Sequence, residues 1–336
     1  MKAREGDLIE SVDNIVFDVK GLVHPPERVV AFIRYVPDPN GNRERDGVRY
    51  SKYYSLSKRY DILKQEYPKY LVQDPIFNTL LCEVQSGDIK HHYQPAKGLQ
   101  NLRNRKNLDK TETIALEFME ILQENANISW NNLGISGSIL VKLHEPSSDI
   151  DLIVYGTKTA HIVQSIMRMM LKNKNSPFKA YNLEGLRELY DFRSKDTRVS
   201  FEDFVRTDSR KISHGKFKEK HFFIRFVKNL NEIREQYGSI IYKPEGKVKI
   251  RATIADDSEA LFTPCRYELS NVKIINRSKV EPLEEIVSFR GRFCEQAKTG
   301  ENVIAEGKLE RIQQEGKNDH FRLLLGSNPA DHMILI

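Results

Sequence analysis

The stretch "SDIDLIVY", Ser148 to Tyr155, sets two aspartates into an otherwise apolar run. Its alternation predicts a β-strand. Residues two apart on a strand face the same side. Asp149 and Asp151 therefore project together, while Ile150, Leu152 and Val154 turn toward a core. Two carboxylates held so close repel and raise each other's proton affinity. Placing them beside a core adds a desolvation cost. A bound divalent cation reverses the penalty. Magnesium takes hard oxygen ligands from carboxylates, water and substrate phosphates.

Upstream lies "GISGS", Gly134 to Ser138. Glycine at 134 and 137 lets the backbone take positive φ or approach a ligand closely. The pair Gly137-Ser138 can present backbone N–H groups and a hydroxyl to phosphate. Ser138 precedes Asp149 by eleven residues, which a helical turn and a loop fill. In that loop Lys142 suits phosphate neutralisation, and His144 suits either phosphate contact or loop stabilisation. Tyr155 suits a base pocket or plain packing.

The surrounding segment, residues 108–238, reads as a small α/β domain. "DKTETIALEFMEILQEN" predicts a helix with Ile114, Phe118, Ile121 and Leu122 on one stripe and Thr111 as its cap. "TKTAHIVQSIMRMMLKN" predicts a second, with Ile162, Ile166 and Met170 on one face. "LEGLRELYDF" reads as a third, and "HFFIRFV" as a further strand.

Residues 1–107 read as an α+β domain. "NIVFDVKGLV" and "ERVVAFIRYVP" are its strands, "YYSLSKRYDILKQEYPKYL" gives short helices interrupted near Pro68, and "HHYQPAKGLQNLRNRKN" reads as a polar crossing. Residues 239–336 hold short β-type runs such as "KVKIRATIAD", "NVIAEGKLERIQ" and "HFRLLLG", separated by turn residues. They predict a mostly β, barrel-like domain.

The combined pattern is Gly137-Ser138, about ten residues, then Asp149-Ile150-Asp151-Leu152. It resembles the signature of the nucleotidyltransferase superfamily, which includes polymerase beta-like and tRNA-tailing enzymes. The resemblance implies a multidomain α+β chain: a central polymerase beta-like α/β domain between an N-terminal α+β and a C-terminal β domain. It implies an archaeal or bacterial branch with additional flanking domains. Gly137 and Ser138 would hold the nucleotide phosphates, and Asp149 and Asp151 would ligate Mg2+ or Mn2+. The reaction implied moves a nucleoside monophosphate from an NTP to an acceptor hydroxyl and releases pyrophosphate.

Similar enzymes carry a third carboxylate on a neighbouring strand. "KEKHFFIRFV" has His221 and Arg225 where that acid is expected, which leaves Glu219, Asp256 and Asp257 as candidates. Without a third acid the alternative is a non-catalytic nucleic-acid-binding protein of the same fold.

Net charge is +6, from 53 basic and 47 acidic side chains, so an anionic partner is permitted but not required. Arg45, Arg49 and Lys52 lie among tyrosines, a mixture that suits RNA or DNA contact or an ordinary half-exposed surface. Arg187, Arg193 and Lys195 form a second basic group, and Arg290, Arg292 and Lys308 lie near the end. These groups and the flanking segments favour a polynucleotide acceptor, RNA foremost. No run reaches the roughly 18 apolar residues of a membrane helix, and a cytoplasmic location is expected. Three widely spaced cysteines form neither a disulfide framework nor a zinc cluster. The oligomeric state is left open.

Overall fold

A five-stranded mixed sheet holds the aspartate strand inside it, between Lys220–Val227 and the edge strand Leu133–Ile135. In the computed structural model, which describes residues 2–276 and 282–336, its order is Phe178–Lys179, His214–Phe217, Lys220–Val227, Ile150–Tyr155, Leu133–Ile135. Ile150–Tyr155 runs parallel to Lys220–Val227 and antiparallel to Leu133–Ile135. Ile150, Leu152 and Val154 are buried, as their alternation predicts. So are Ile153 and Tyr155 on the aspartate side, where Leu22 and Ala96 pack against them.

Helix Lys110–Ala126 covers the sheet. The Phe118 ring lies 4.7 Å from that of Phe178, 5.0 Å from Phe217 and 5.2 Å from Phe222, edge to face. Asp109, not Thr111, caps this helix. Its carboxylate accepts from Glu112 N, and the Glu112 side chain accepts from Asp109 N, a reciprocal capping box. Thr111 already sits inside the first turn, where its hydroxyl meets Lys220 Nζ. Helix Thr157–Lys172 follows the aspartate strand across Gly156, at φ +88°. Its buried face is Val163, Met167 and Met170, so Ile162 and Ile166 fall at its half-buried edges rather than at its centre.

An eight-stranded sheet forms from the N-terminal segment, in the order Arg43–Arg45, Val48–Lys52, Arg28–Pro37, Val16–Val19, Leu8–Ser11, Ile89–Tyr93. Thr79–Gln85 pairs with the start of Arg28–Pro37, and Leu71–Asp74 pairs with Thr79–Gln85. The expected polar crossing is instead a strand, Ile89–Tyr93, and a helix, Pro95–Asn104. Pairing with Leu8–Ser11 orders the strand, and Pro95 suits the first helical turn.

The chain resolves into two compact units: Met1–Val72, Leu81–Ala180 and Ile212–Arg234 in the first; Gln73–Leu80, Tyr181–Lys211 and Glu235–Ile336 in the second. The boundary expected near residue 107 therefore falls inside one unit. Helix Pro95–Asn104 packs on strand Leu133–Ile135 there, which ties the two segments together. Residues 181–211, expected in the central segment, belong to the second unit.

In that second unit the strand order is Ile241–Asp256, Cys265–Ile274, Leu283–Ser288, His320–Leu325, Asn302–Gln313, and then back to Ile241–Asp256. This ring is a closed barrel filled by Val248, Ile250, Tyr267, Leu309 and Leu323 among others. His332–Leu335 attaches outside it, along Asn302–Gln313. Two helices, Leu183–Arg193 and Phe201–Asp208, complete the unit. The second has no counterpart among the elements expected from the sequence; Ser200 caps it by accepting from Asp203 N. Seven α-helices are formed among the described residues, and none of them is long and apolar enough to cross a membrane. Cys82, Cys265 and Cys294 are buried and free.

Candidate functional site

Asp149 is exposed at the mouth of strand Ile150–Tyr155, and Asp151 is half-buried one pleat further in. The Asp151 carbonyl accepts from Ser136 N at 2.8 Å, which closes the bend onto the strand. Gly137 takes φ +60°, and its backbone lies directly under the Asp151 carboxylate. The bend thus meets the acid that the sequence pairs with it. Ser138 does not present its hydroxyl to solvent: it is buried, with no hydrogen-bond partner for Oγ, while its carbonyl accepts from Leu143 N. Lys142 is exposed after the short helix Gly137–Leu140, at φ +53°.

The loop between bend and strand is held from several sides. Arg43 donates to the Leu143 carbonyl and pairs with Glu145 at 3.2 Å. Arg45 donates to the Val141 carbonyl, and Lys220 to the carbonyls of Pro146 and Ser148. His144 lies 2.6 Å from Asp109, a loop-stabilising contact. Asp109, Glu112 and His144 bring potential metal-ligand atoms within 4.8 Å of one another. Their side chains already form the helix cap, the loop contact and an ion pair between Glu112 and Arg105.

Beside Asp151 a narrow cleft is lined by Asp18, Arg34, Ser136, Gly137 and Arg225, with room for about one water-sized species. Burial and the neighbouring Asp149 push the Asp151 carboxyl up to about 6, against the opposing pull of Arg34, Lys52 and Arg225. Burial also opposes ionisation of Asp18, yet Lys20, Arg225 and Arg34 outweigh it and hold that carboxyl well below the usual range. Burial works against the charge of half-buried Arg34, but Tyr35, Asp18, Asp151 and Asp149 outweigh it and hold the guanidinium charged. Arg225 pairs with fully buried Glu5 at 2.6 Å and with Asp18 at 3.5 Å.

No acid stands on the neighbouring strand beside Asp151. The register sets Phe223 alongside Asp151 and Arg225 alongside Ile153. Glu219 is exposed in the turn before that strand. Asp256 and Asp257 belong to the second unit, where they bond Ser258 and Thr299. The acid that shares the cleft is Asp18, delivered by the N-terminal sheet. Its one signal in the sequence is a charge inside an apolar strand, "VFDV", the same signal that marks Asp149 and Asp151.

Of the expected nucleic-acid contacts, Arg45 is half-buried, paired with Glu10 at 2.8 Å and bonded to Tyr93 and Tyr50, so it braces the fold. Arg49 is exposed. Lys52 acts electrostatically on Asp151 and lies 4.8 Å from the centre of the Tyr54 ring. Arg187, Arg193 and Lys195 lie in the second unit. There Arg187 stacks on Phe201, Arg193 pairs with Asp208 at 2.6 Å, and Lys195 is exposed.

The chain is similar over nearly its whole length to an uncharacterized protein of Methanocaldococcus jannaschii. The two are 29% identical, across 97% of this chain and 96% of the relative. No protein-family model matches the chain, and no solved structure does.

The donor set fits a hard divalent ion. Asp151, made reluctant to ionise by burial and by neighbouring Asp149, lines a cleft of water size, and Asp149 stands exposed two residues before it. Magnesium sites commonly use one or two carboxylates and leave the remaining positions to water and phosphate.

Proposed function

We propose that the first unit carries a metal-dependent nucleotidyl transfer site, with Asp149 and Asp151 as ligands of Mg2+ or Mn2+. The observation that carries this reading is the seating of the Asp151 carboxylate on Gly137, which brings the phosphate-type bend and the acid pair into one place. The order helix, strand, bend, aspartate strand, helix, parallel strand supports it, because it is the order expected of a polymerase beta-like core.

When bound, the ion supplies charge neutralisation for a triphosphate and for the developing leaving group. The chain's own part is positional. Asp149, exposed at the rim, meets a substrate first, since the inner cleft is too small for a nucleotide. Arg34 and Lys52 favour the ionised form of Asp151 and add positive charge beside the site. The clamped loop fixes the strand's entry, so the two carboxylates need no reorganisation to bind. Asp18 is bound to Lys20 and Arg225, which makes it an electrostatic neighbour rather than a free ligand.

The substrate class is an NTP, and the acceptor is a hydroxyl, with RNA the first to try. Screening the four labelled NTPs with magnesium or manganese against RNA, DNA and protein acceptors tests this. Transfer by the wild type that vanishes in Asp149→Asn supports the reading, and absence of transfer under every combination contradicts it.

A second reading has its own support. Phe223 and Arg225 occupy the neighbouring strand where related enzymes keep an acid. On that reading the unit binds nucleotide or nucleic acid without transferring anything. Nucleotide binding in the absence of turnover favours it.

A further inference from the structure

The outer face of the barrel carries a run of cations that the fold itself does not balance. Along strand Ile241–Asp256, Val248, Ile250 and Ala252 are buried in the barrel. Alternation therefore turns Lys247, Lys249 and Arg251 outward, about 7 Å apart in succession. Arg251 lies directly alongside Lys273 of the next strand, Cys265–Ile274. Like charges set opposite each other weaken an antiparallel pair. Lys247, Arg251 and Lys273 are exposed and Lys249 is half-buried. Among the described residues, no carboxylate lies within 4.0 Å of the charged nitrogens of any of the four. On the other flanking strand, Lys308 stands beside Lys247 but turns to Glu310 at 2.8 Å, and Glu306 stands beside Lys249.

We propose that this face binds single-stranded nucleic acid through its phosphates. A line of cations with regular spacing matches a linear polyanion, and the loss of its counterions would drive binding. The cations follow one twisted strand and its neighbour rather than spreading over a plane, which suits a flexible strand better than a lipid surface. Half-buried Ile304, alongside Arg251, gives a base an apolar contact. This inference is independent of the transfer site.

Fluorescence anisotropy of labelled oligouridylate and oligothymidylate with the full chain tests it, without NTP or divalent ion, so a failure of transfer does not bear on the result. The wild type binds, and its log K falls linearly with log salt. The triple variant Lys247→Ser, Arg251→Ser, Lys273→Ser binds at least roughly tenfold more weakly, and its salt slope is shallower by about 2, because each lost phosphate contact removes about 0.7. Arg251→Glu alone weakens binding, and Arg251→Lys restores it. Matching melting curves for wild type and variants keep the comparison one of binding. An unchanged affinity and slope in the triple variant overturns the proposal. So does a wild type that binds neither oligonucleotide at low salt, including one that adsorbs only to phosphatidylserine vesicles.

Discussion

A Cβ atom on residue 137 would lie 2.0 Å from Oδ2 of Asp151. No side chain fits there while the carboxylate keeps its place, and the +60° φ of Gly137 independently disfavours one. The bend and the acid pair are therefore one structural element, each shaped by the other.

Gly137→Ala tests that union. Crowding and a strained φ together cost about 2–4 kcal/mol, and the Asp151 carboxylate has to move. The expected outcome is a lower midpoint in urea with an unchanged m-value, accompanied by weaker Mn2+ binding. Undisturbed stability and ion binding would show that the close approach is unimportant.

The raised proton affinity of Asp151 gives a pH dependence of known sign. Its carboxyl moves from an ordinary 3.8 in the unfolded chain to about 6 in the fold. The folded chain then holds more protons between those values, so stability falls as pH rises through them and stays reduced above 6. Asp151→Asn removes this cost. The variant should be more stable than the wild type by about 3 kcal/mol at pH 8, an advantage that fades below about pH 4. Urea melts at the two pH values check it. Ion binding runs the other way, because the ligand must be deprotonated: Mn2+ affinity should drop roughly tenfold between pH 7 and pH 5.

Glu5 anchors the cationic side of the cleft. It is fully buried, accepts from Gly21 N at 2.7 Å, and pairs with Lys20 at 3.0 Å and Arg225 at 2.6 Å. Glu5→Gln leaves two cations short of a partner in a buried place and should destabilise the first unit by about 3–5 kcal/mol. Thermal melting reads the loss. A change under about 0.5 kcal/mol, typical of a surface substitution, would contradict the assigned role.

Much of the site is legible in the sequence because it is local. The shared face of Asp149 and Asp151 follows from a two-residue period, and the bend from glycine chemistry a few residues upstream. Asp18 and Arg34 reach the same cleft from another sheet, Glu5 holds Arg225 from behind it, and single-sequence periodicity carries no trace of that pairing. Arg45 shows the same gap from the other direction: a basic residue among tyrosines reads as a surface contact until Glu10, far away in the chain, pairs with it. The barrel's alternating strands announce their class, but its closure rests on the first strand pairing with the fourth, a long-range contact. Helix Phe201–Asp208 is missed because its charged residues mask a short apolar face with Phe204 at its centre.

Asp109 separates the acid pair from the other cluster with metal-like geometry. Asp109→Ala removes the capping box and the His144 contact, at a cost of about 1 kcal/mol. Mn2+ affinity should stay at the wild-type value. Loss of ion binding in this variant would move the metal site to Asp109, Glu112 and His144.

Titration of Mn2+ followed by electron paramagnetic resonance, with and without ATP, tests the central claim most directly. The wild type should bind the ion, and more tightly with ATP present. Asp149→Asn and Asp151→Asn, each still folded by circular dichroism, should lose most of that affinity. Equal binding by all three proteins would contradict the assignment of these carboxylates as metal ligands.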